Sequence, residues 1–238
     1  MTGLGRIQQI QSFSTFDGPG TRCVVFLQGC PMGCIFCHNP DSWDAAGGEE
    51  VGVEELIHRI ERFRRFLSAP GLTLTGGEPL LQAEFTAEVI DAAHERGWHV
   101  ALDTSGWGPE ERFMQVAGKA DLVMFSIKHP LEPELVANHG AREALANWRN
   151  LARLSVPVWL RYVLITGRTD QPEALRALGE LAKEQPNLER VEILPYNSLA
   201  ENKWAKLGWR FPLHEGADPK VTEEQIRQAE MLVGWKKL

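Results

Sequence analysis

Six times along the chain a short β-favouring run gives way to a stretch of helical spacing, and this alternation limits the fold more than any other feature. The runs are 21–27, 72–75, 98–102, 121–127, 156–165 and 190–194. Helices are predicted over 53–67, where Leu56, Ile60, Phe63 and Leu67 share a face, and over 85–96, closed by Gly97. Further helices are predicted near 109–118, in pieces up to residue 153, and over 172–184, with a last amphipathic one over 223–233. Residues 41–50, with Gly47 Gly48 Glu49 Glu50, read as a loop. Parallel strands cannot be joined by tight hairpins, so the alternation predicts a parallel sheet with crossover helices. Six units fall short of the eight of a closed barrel, and periodicity leaves both an open doubly wound sheet and an incomplete barrel available.

In either arrangement ligands sit at the C-terminal ends of the strands. The first run feeds into Cys30 Pro31 Met32 Gly33 Cys34 Ile35 Phe36 Cys37, within a loop spanning 28–40. Three of the four cysteines are there, while Cys23, beside Val24 Val25 Phe26, reads as a buried strand residue. Closed structural zinc sites and most iron-sulfur clusters take four protein ligands, so three thiolates leave one coordination position open. A disulfide would pair two cysteines and strand the third, and a structural zinc would need a distant His. The seven histidines show no His-Glu-x-x-His or similar spacing.

The net charge of −7, with Lys and Arg dispersed, gives no footprint for a nucleic-acid backbone. Residues 1–11 mix Arg6 and three glutamines with isolated apolar residues, and no apolar run approaches a membrane span. A cytoplasmic protein with reduced thiols and no membrane partner is expected. Length and the absence of a linker or low-complexity segment fit residues 1–238 as a single domain. Eight tryptophans are many; exposed ones would mark a partner surface, buried ones core packing.

The spacing Cys30-x3-Cys34-x2-Cys37, with Phe36 before the last cysteine, resembles the signature of the radical S-adenosylmethionine (radical SAM) superfamily. With His38 Asn39 after it, Phe16 Asp17 Gly18 Pro19 Gly20 before it and Lys203 Trp204 in the tail, nearly the whole chain is similar to the glycyl-radical-enzyme activases. The resemblance implies an α/β fold, a partial (β/α)6 TIM-like barrel whose open side faces a large partner. It implies a 4Fe-4S cluster on Cys30, Cys34 and Cys37, with the open iron chelated by the amino and carboxylate groups of S-adenosylmethionine. The implied reaction cleaves that cosubstrate reductively to methionine and a 5'-deoxyadenosyl radical. The radical takes hydrogen from a glycine of a partner glycyl radical enzyme, pyruvate formate-lyase being the partner implied.

Carried over by resemblance, Gly76, Gly77 and Glu78 meet the amino group of the cosubstrate, and Asp103 and Thr104 lie beside it. Two adjacent glycines leave no Cβ in the way of a bound group, although the same residues serve an ordinary strand-to-helix turn. Asp103 or Thr104 would equally serve as a helix cap. Lys128 and Arg161 bring positive charge to strand ends, and Arg161 lies in an apolar run where an unpaired guanidinium is costly. Phe36, His38, Ser126 and Asn197 complete the expected cosubstrate site, and Asp17 is expected to touch the partner protein.

Two positions depart from the resembled activases. Ser126 stands where they carry an Asp that helps bind a monovalent cation, and a hydroxyl is a weaker cation ligand than a carboxylate. Asn197 replaces a His, keeping hydrogen bonding but not titration near neutral pH. Between Cys37 and Gly76 there is room for a loop and one helix, with no inserted ferredoxin-like domain. One cluster therefore implies an external electron donor, flavodoxin or ferredoxin. The competing readings are a radical enzyme acting on a small molecule, as the carboxydeazaguanine synthases do, the activase of anaerobic ribonucleotide reductase, and a non-enzymatic structural metal module, which would need a fourth ligand.

Overall fold

In a computed structural model, which describes residues 3–67, 71–214 and 221–235, each of the six runs is a strand. The chain opens with an antiparallel pair, β1 (Leu4–Ser14) and β2 (Arg22–Leu27), and then, past the cysteines, β3 (Glu49–Gly52) and α1 (Val53–Glu61). Strand and helix alternate from there: β4 (Gly71–Gly76), α2 (Ala83–His94), β5 (His99–Thr104), α3 (Glu110–Ala117), β6 (Leu122–Ser126) and α4 (Ala141–Asn150). The last part holds β7 (Val158–Leu164), α5 (Pro172–Lys183), β8 (Leu188–Pro195), α6 (Glu201–Lys206) and α7 (Glu223–Val233). No helix among the described residues is long and apolar enough to cross a membrane.

The sheet order is β3-β1-β2-β4-β5-β6-β7-β8. From β2 to β8 every pairing is parallel and follows chain order, so the six strand-helix units are those of an unclosed (β/α)6 barrel. The hairpin partner β1 and the short β3 extend the β2 edge with antiparallel pairings. Neither was expected, and β3 takes the end of the segment read as loop 41–50. In β1 only Gly5, Ile7 and Ser14 are buried, so main-chain pairing rather than an apolar face defines it. Gln82 joins this edge to the rest: its Oε1 accepts from Arg6 N at 2.7 Å, and its Nε2 donates to Arg6 O and Gln28 O, both at 2.8 Å. The helix predicted over 53–67 ends at Glu61, where a tighter turn at Arg64–Phe66 still delivers Leu67 to the core.

The two faces of the sheet differ. In β7, Val158, Leu160, Tyr162 and Leu164 are buried, while the alternate Trp159, Arg161 and Val163 are half-buried. The first set belongs to the main core with Leu72, Leu74, Val100 and Leu102 of neighbouring strands and Leu56, Ile57, Ile60 and Ile90 of the covering helices. The second set faces the concave interior. Low in that interior Ala101, Leu122 and Met124 pack with Trp159, and polar side chains follow toward the strand ends.

Candidate active site

The cysteine loop leaves β2 and is fastened on both sides. Gly29 N donates to Ser42 O at 2.7 Å, Ile35 N to Val136 O at 2.9 Å, and Asn138 N to Met32 O at 2.7 Å. All four cysteines are free thiols, and Cys23 is wholly buried in the strand, as expected. Cys30, Cys34 and Cys37 border a cleft of about 800 Å³ at the C-terminal ends of the strands. Burial pushes the Cys30 and Cys34 thiols up, against the nearby charge of Lys128 at Cys34, and pushes Cys37 up to about 11. Thiolates so disfavoured are stable only with cationic compensation, which bound metal provides.

The strand-end residues named from the sequence line the same cleft. Phe36 and His38 come from the cysteine loop, Gly76, Gly77 and Glu78 from the end of β4, Asp103 and Thr104 from β5. Ser126 and Lys128 come from the end of β6, Arg161 from β7 and Asn197 from beyond β8. Lys128 Nζ lies 5.8 Å above the Phe36 ring, and His38 Nε2 sits 3.2 Å from Asn197 O. Burial lowers the His38 pKa, so the neutral ring is favoured. Ser126 is paired in register with Arg161, whose charge opposes a cation held by neutral oxygens at that point.

Arg161 anchors the middle of the site. Its Nη1 donates to Asp103 Oδ2 at 3.1 Å, its Nε is 3.2 Å from Glu192 Oε2 with off-line geometry, and its Nη2 lies 3.4 Å from Phe16 O. Burial weakens the guanidinium's charge, but Asp103 and Glu192 outweigh it and raise the pKa. Thr75 Oγ1 donates to the same Asp103 oxygen at 2.8 Å.

Four residues behave differently from the sequence reading. A Cβ on Gly76 would lie 2.4 Å from Leu27 N, and one on Gly77 would lie 2.1 Å from Gly29 O, so the glycine pair is required by the exit of β2 itself. The Glu78 carboxylate, read as free to accept an ammonium, is buried with four donors on it. Oε1 accepts from Leu80 N at 3.1 Å and Thr104 Oγ1 at 2.5 Å, and Oε2 from Ser105 N at 2.9 Å and Ser105 Oγ at 2.5 Å. Its acceptor positions are filled, and it ties the β4 and β5 exits together; burial still holds its carboxyl above the usual carboxylate range. Asp17 is turned into its own loop, accepting from Ser14 Oγ at 2.5 Å while its carbonyl accepts from Thr73 Oγ1 at 2.6 Å. It does not line the cleft; Phe16 beside it does.

With this geometry in place, comparison with known proteins is decisive. The model of the radical SAM superfamily matches residues 24–178. The chain belongs to the radical SAM superfamily. It is 38% identical over 241 residues to the pyruvate formate-lyase 1-activating enzyme of Escherichia coli K12, covering 95% of each chain. It is 39% identical over 246 residues to the pyruvate formate-lyase-activating enzyme of Streptococcus mutans, covering 98% of this chain and 91% of that one. A solved radical SAM methyltransferase from Sphaerobacter thermophilus, 19% identical, superposes with a TM-score of 0.63 over 90% of this chain and 63% of its own, a likeness of fold.

Radical SAM proteins use a 4Fe-4S cluster and S-adenosylmethionine, and the donor set fits that pair. Cys30, Cys34 and Cys37, all free thiols, border one cleft and supply the thiolates by which iron-sulfur clusters are held. The polar groups beyond them include the cations Lys128 and Arg161 and the neutral donors Thr104 and Asn197, chemically matched to a carboxylate-bearing cosubstrate.

Sequence reasoning missed the supports behind the cysteines. Trp43 Nε1 and Asn39 N each donate to Cys37 Sγ at 3.3 Å. From α6, a helix not predicted, Trp204 Nε1 donates to Cys37 O at 2.9 Å and Lys203 Nζ to Asn39 Oδ1 at 2.7 Å. The pair Lys203 Trp204 entered only as part of a resemblance; its position beside the third cysteine gives it a physical task.

Proposed function

We propose that the chain is a radical SAM activase that generates a glycyl radical on a partner enzyme, with pyruvate formate-lyase as that partner. The observation that carries this reading is a single cleft joining three free cysteines to polar groups from five later strand ends, on a barrel left open at one side. The near full-length relatives named as pyruvate formate-lyase-activating enzymes support the choice of partner.

Bound together, cluster and cosubstrate supply one-electron reductive cleavage of S-adenosylmethionine to methionine and a 5'-deoxyadenosyl radical able to take hydrogen from a glycine Cα. Cys30, Cys34 and Cys37 hold the cluster and leave one iron for the cosubstrate. Gly76 and Gly77 shape the rim through their backbone, while Asp103, Thr104, Lys128, Arg161, His38 and Asn197 orient the amino acid and nucleoside parts. The cation site is the weakest part of the family pattern at Ser126, where water and carbonyl oxygens would have to replace a carboxylate. Between Cys37 and β4 the described residues hold β3, α1 and short turns, which supports a single-domain chain carrying one cluster. The electron therefore comes from outside, from flavodoxin or ferredoxin in the cytoplasm.

The test is anaerobic reconstitution followed by incubation with pyruvate formate-lyase, S-adenosylmethionine and reduced flavodoxin. About four irons per chain, a spectral change on adding cosubstrate and a glycyl radical signal in the partner are expected. Cys34→Ala should lose the cluster and cosubstrate cleavage together. Tightly bound zinc with no cluster would overturn the reading; cosubstrate cleavage without a glycyl radical would move the activity to another substrate.

A further inference from the structure

The turn after the cysteine loop returns one residue to both of the loop's ends. Pro40–Ser42 is tightly wound, with Ser42 N donating to Asn39 O at 2.9 Å and Trp43 N to Pro40 O at 3.2 Å. Trp43 is thereby laid back over the cysteines. Its carbonyl accepts from Cys30 N at 3.2 Å, and its indole N–H donates to Cys37 Sγ at 3.3 Å. The ring is fixed edge-on against Trp204, with centroids 5.2 Å apart, and lies tilted against Trp209 at 5.3 Å. Trp43 is not a cleft-lining residue, so cosubstrate contact does not account for this arrangement.

An N–H donated to a cysteine sulfur draws electron density from the metal ligand and stabilises the more negative, reduced cluster, which raises its reduction potential. We propose that Trp43 tunes the cluster electronically through Cys37, the indole N–H setting the potential at which it accepts the activating electron, and that its main chain fixes the first cysteine relative to the third. Trp43 is a positioning residue: it acts through Cys30 and Cys37. The proposal rests on the cluster assignment made above. The indole is suited to this because it is a donor only, with no acceptor or titratable atom to reverse the effect.

The experiment replaces Trp43 in the full chain by 3-benzothienylalanine, which keeps the outline of indole and substitutes sulfur for the N–H, and in parallel by phenylalanine. Each anaerobically reconstituted protein is titrated electrochemically with the reduced cluster followed by electron paramagnetic resonance. Iron content and the spectral response to S-adenosylmethionine are measured on the same samples. In the benzothienyl protein both should match the wild type while the midpoint potential moves to a more negative value. Of the two exchangeable deuterons that the reduced wild-type cluster meets at Cys37 Sγ in D2O, the indole one should be missing from the benzothienyl protein and the Asn39 backbone one should remain. The Phe variant should shift the potential in the same direction. Trp204→Phe removes an indole N–H from the Cys37 carbonyl rather than its sulfur, and should leave both deuteron couplings in place. A benzothienyl protein with its cluster intact and an unchanged potential would overturn the proposal, as would loss of the cluster from that protein, which would make the indole N–H a structural requirement. A wild-type chain that takes up no cluster would instead overturn the site assignment itself.

Discussion

At the scale of single residues the site is held by groups whose partners leave little freedom. Arg161 sits between Asp103 and Glu192 with its side chain 12% exposed, so its removal leaves two half-buried carboxylates facing each other. Arg161→Met should destabilise the apo protein by about 3–5 kcal/mol, read as a lower midpoint in urea, and Arg161→Lys should recover part of this because one ammonium cannot span both acids. Equal stability of Met variant and wild type would show the pairing to be energetically idle. Gly77 is constrained by space rather than charge. Because its Cβ would stand 2.1 Å from the carbonyl oxygen of Gly29, Gly77→Ala must push the exit of β2 and with it Cys30. The expected result is a folded chain that takes up less iron than the wild type on reconstitution; full iron content would show that the loop can yield.

At the scale of elements, the β6–α4 connection works as a clamp on the cysteine loop. His129 Nδ1 accepts from Leu131 N at 3.2 Å and Glu132 N at 2.8 Å, turning the chain into Pro133–Leu135, beyond which Val136 O and Asn138 N bond to Ile35 and Met32. Burial holds the His129 pKa below that of an exposed histidine, and Nδ1 must keep its lone pair for the turn to stand. The unfolded chain then binds the proton more readily than the folded one. The stabilisation is complete above about pH 6.5 and is lost as the pH falls through the folded-state value, with a slope of at most about 1.4 kcal/mol per pH unit. His129→Asn supplies a non-titrating acceptor oxygen at the same place. The gap in urea stability between wild type and variant should therefore move in favour of the variant between about pH 7.5 and about pH 5.5; a constant gap would remove His129 from the acid response. Elements of this kind were only partly legible in the sequence. Most of the six parallel strands could be read because their apolar runs are nearly continuous, as in β2 and β6. β1 and β3 could not, because they are edge strands defined by main-chain pairing, and α6 could not, because six residues give too little periodicity. The strand-end site residues were legible once parallel topology placed them at one end. The Glu78 bonds, the support of Trp43 behind Cys37 and the inward turn of Asp17 depend on contacts between distant segments that no spacing encodes.

At the scale of the whole molecule the open barrel decides what can reach the site. The parallel array runs from β2 to β8, and its curl brings the β1–β2 connection across to β7, where the carbonyl of Phe16 meets Arg161. Phe16 on that connection and Leu199 beyond β8 both border the cleft, and each is 84% exposed. Ser14 and Asp17 brace the first of these lips, and Thr73 bonds to the Asp17 carbonyl, so Asp17 holds the connection that presents Phe16. Covering such a side chain is worth about 1.5–3 kcal/mol, and a glycine-bearing loop of a partner protein entering between the two would cover both. Phe16→Glu and Leu199→Glu should then each weaken binding of pyruvate formate-lyase by about 10–100-fold. Titrating the partner against glycyl radical formation, with cosubstrate cleavage measured in its absence, separates this effect from damage to the cleft. The ratio of radical formation to partner-free cleavage should fall at low partner concentration and recover at high concentration. An unchanged concentration dependence in both variants would mean that the partner approaches the cluster by another face.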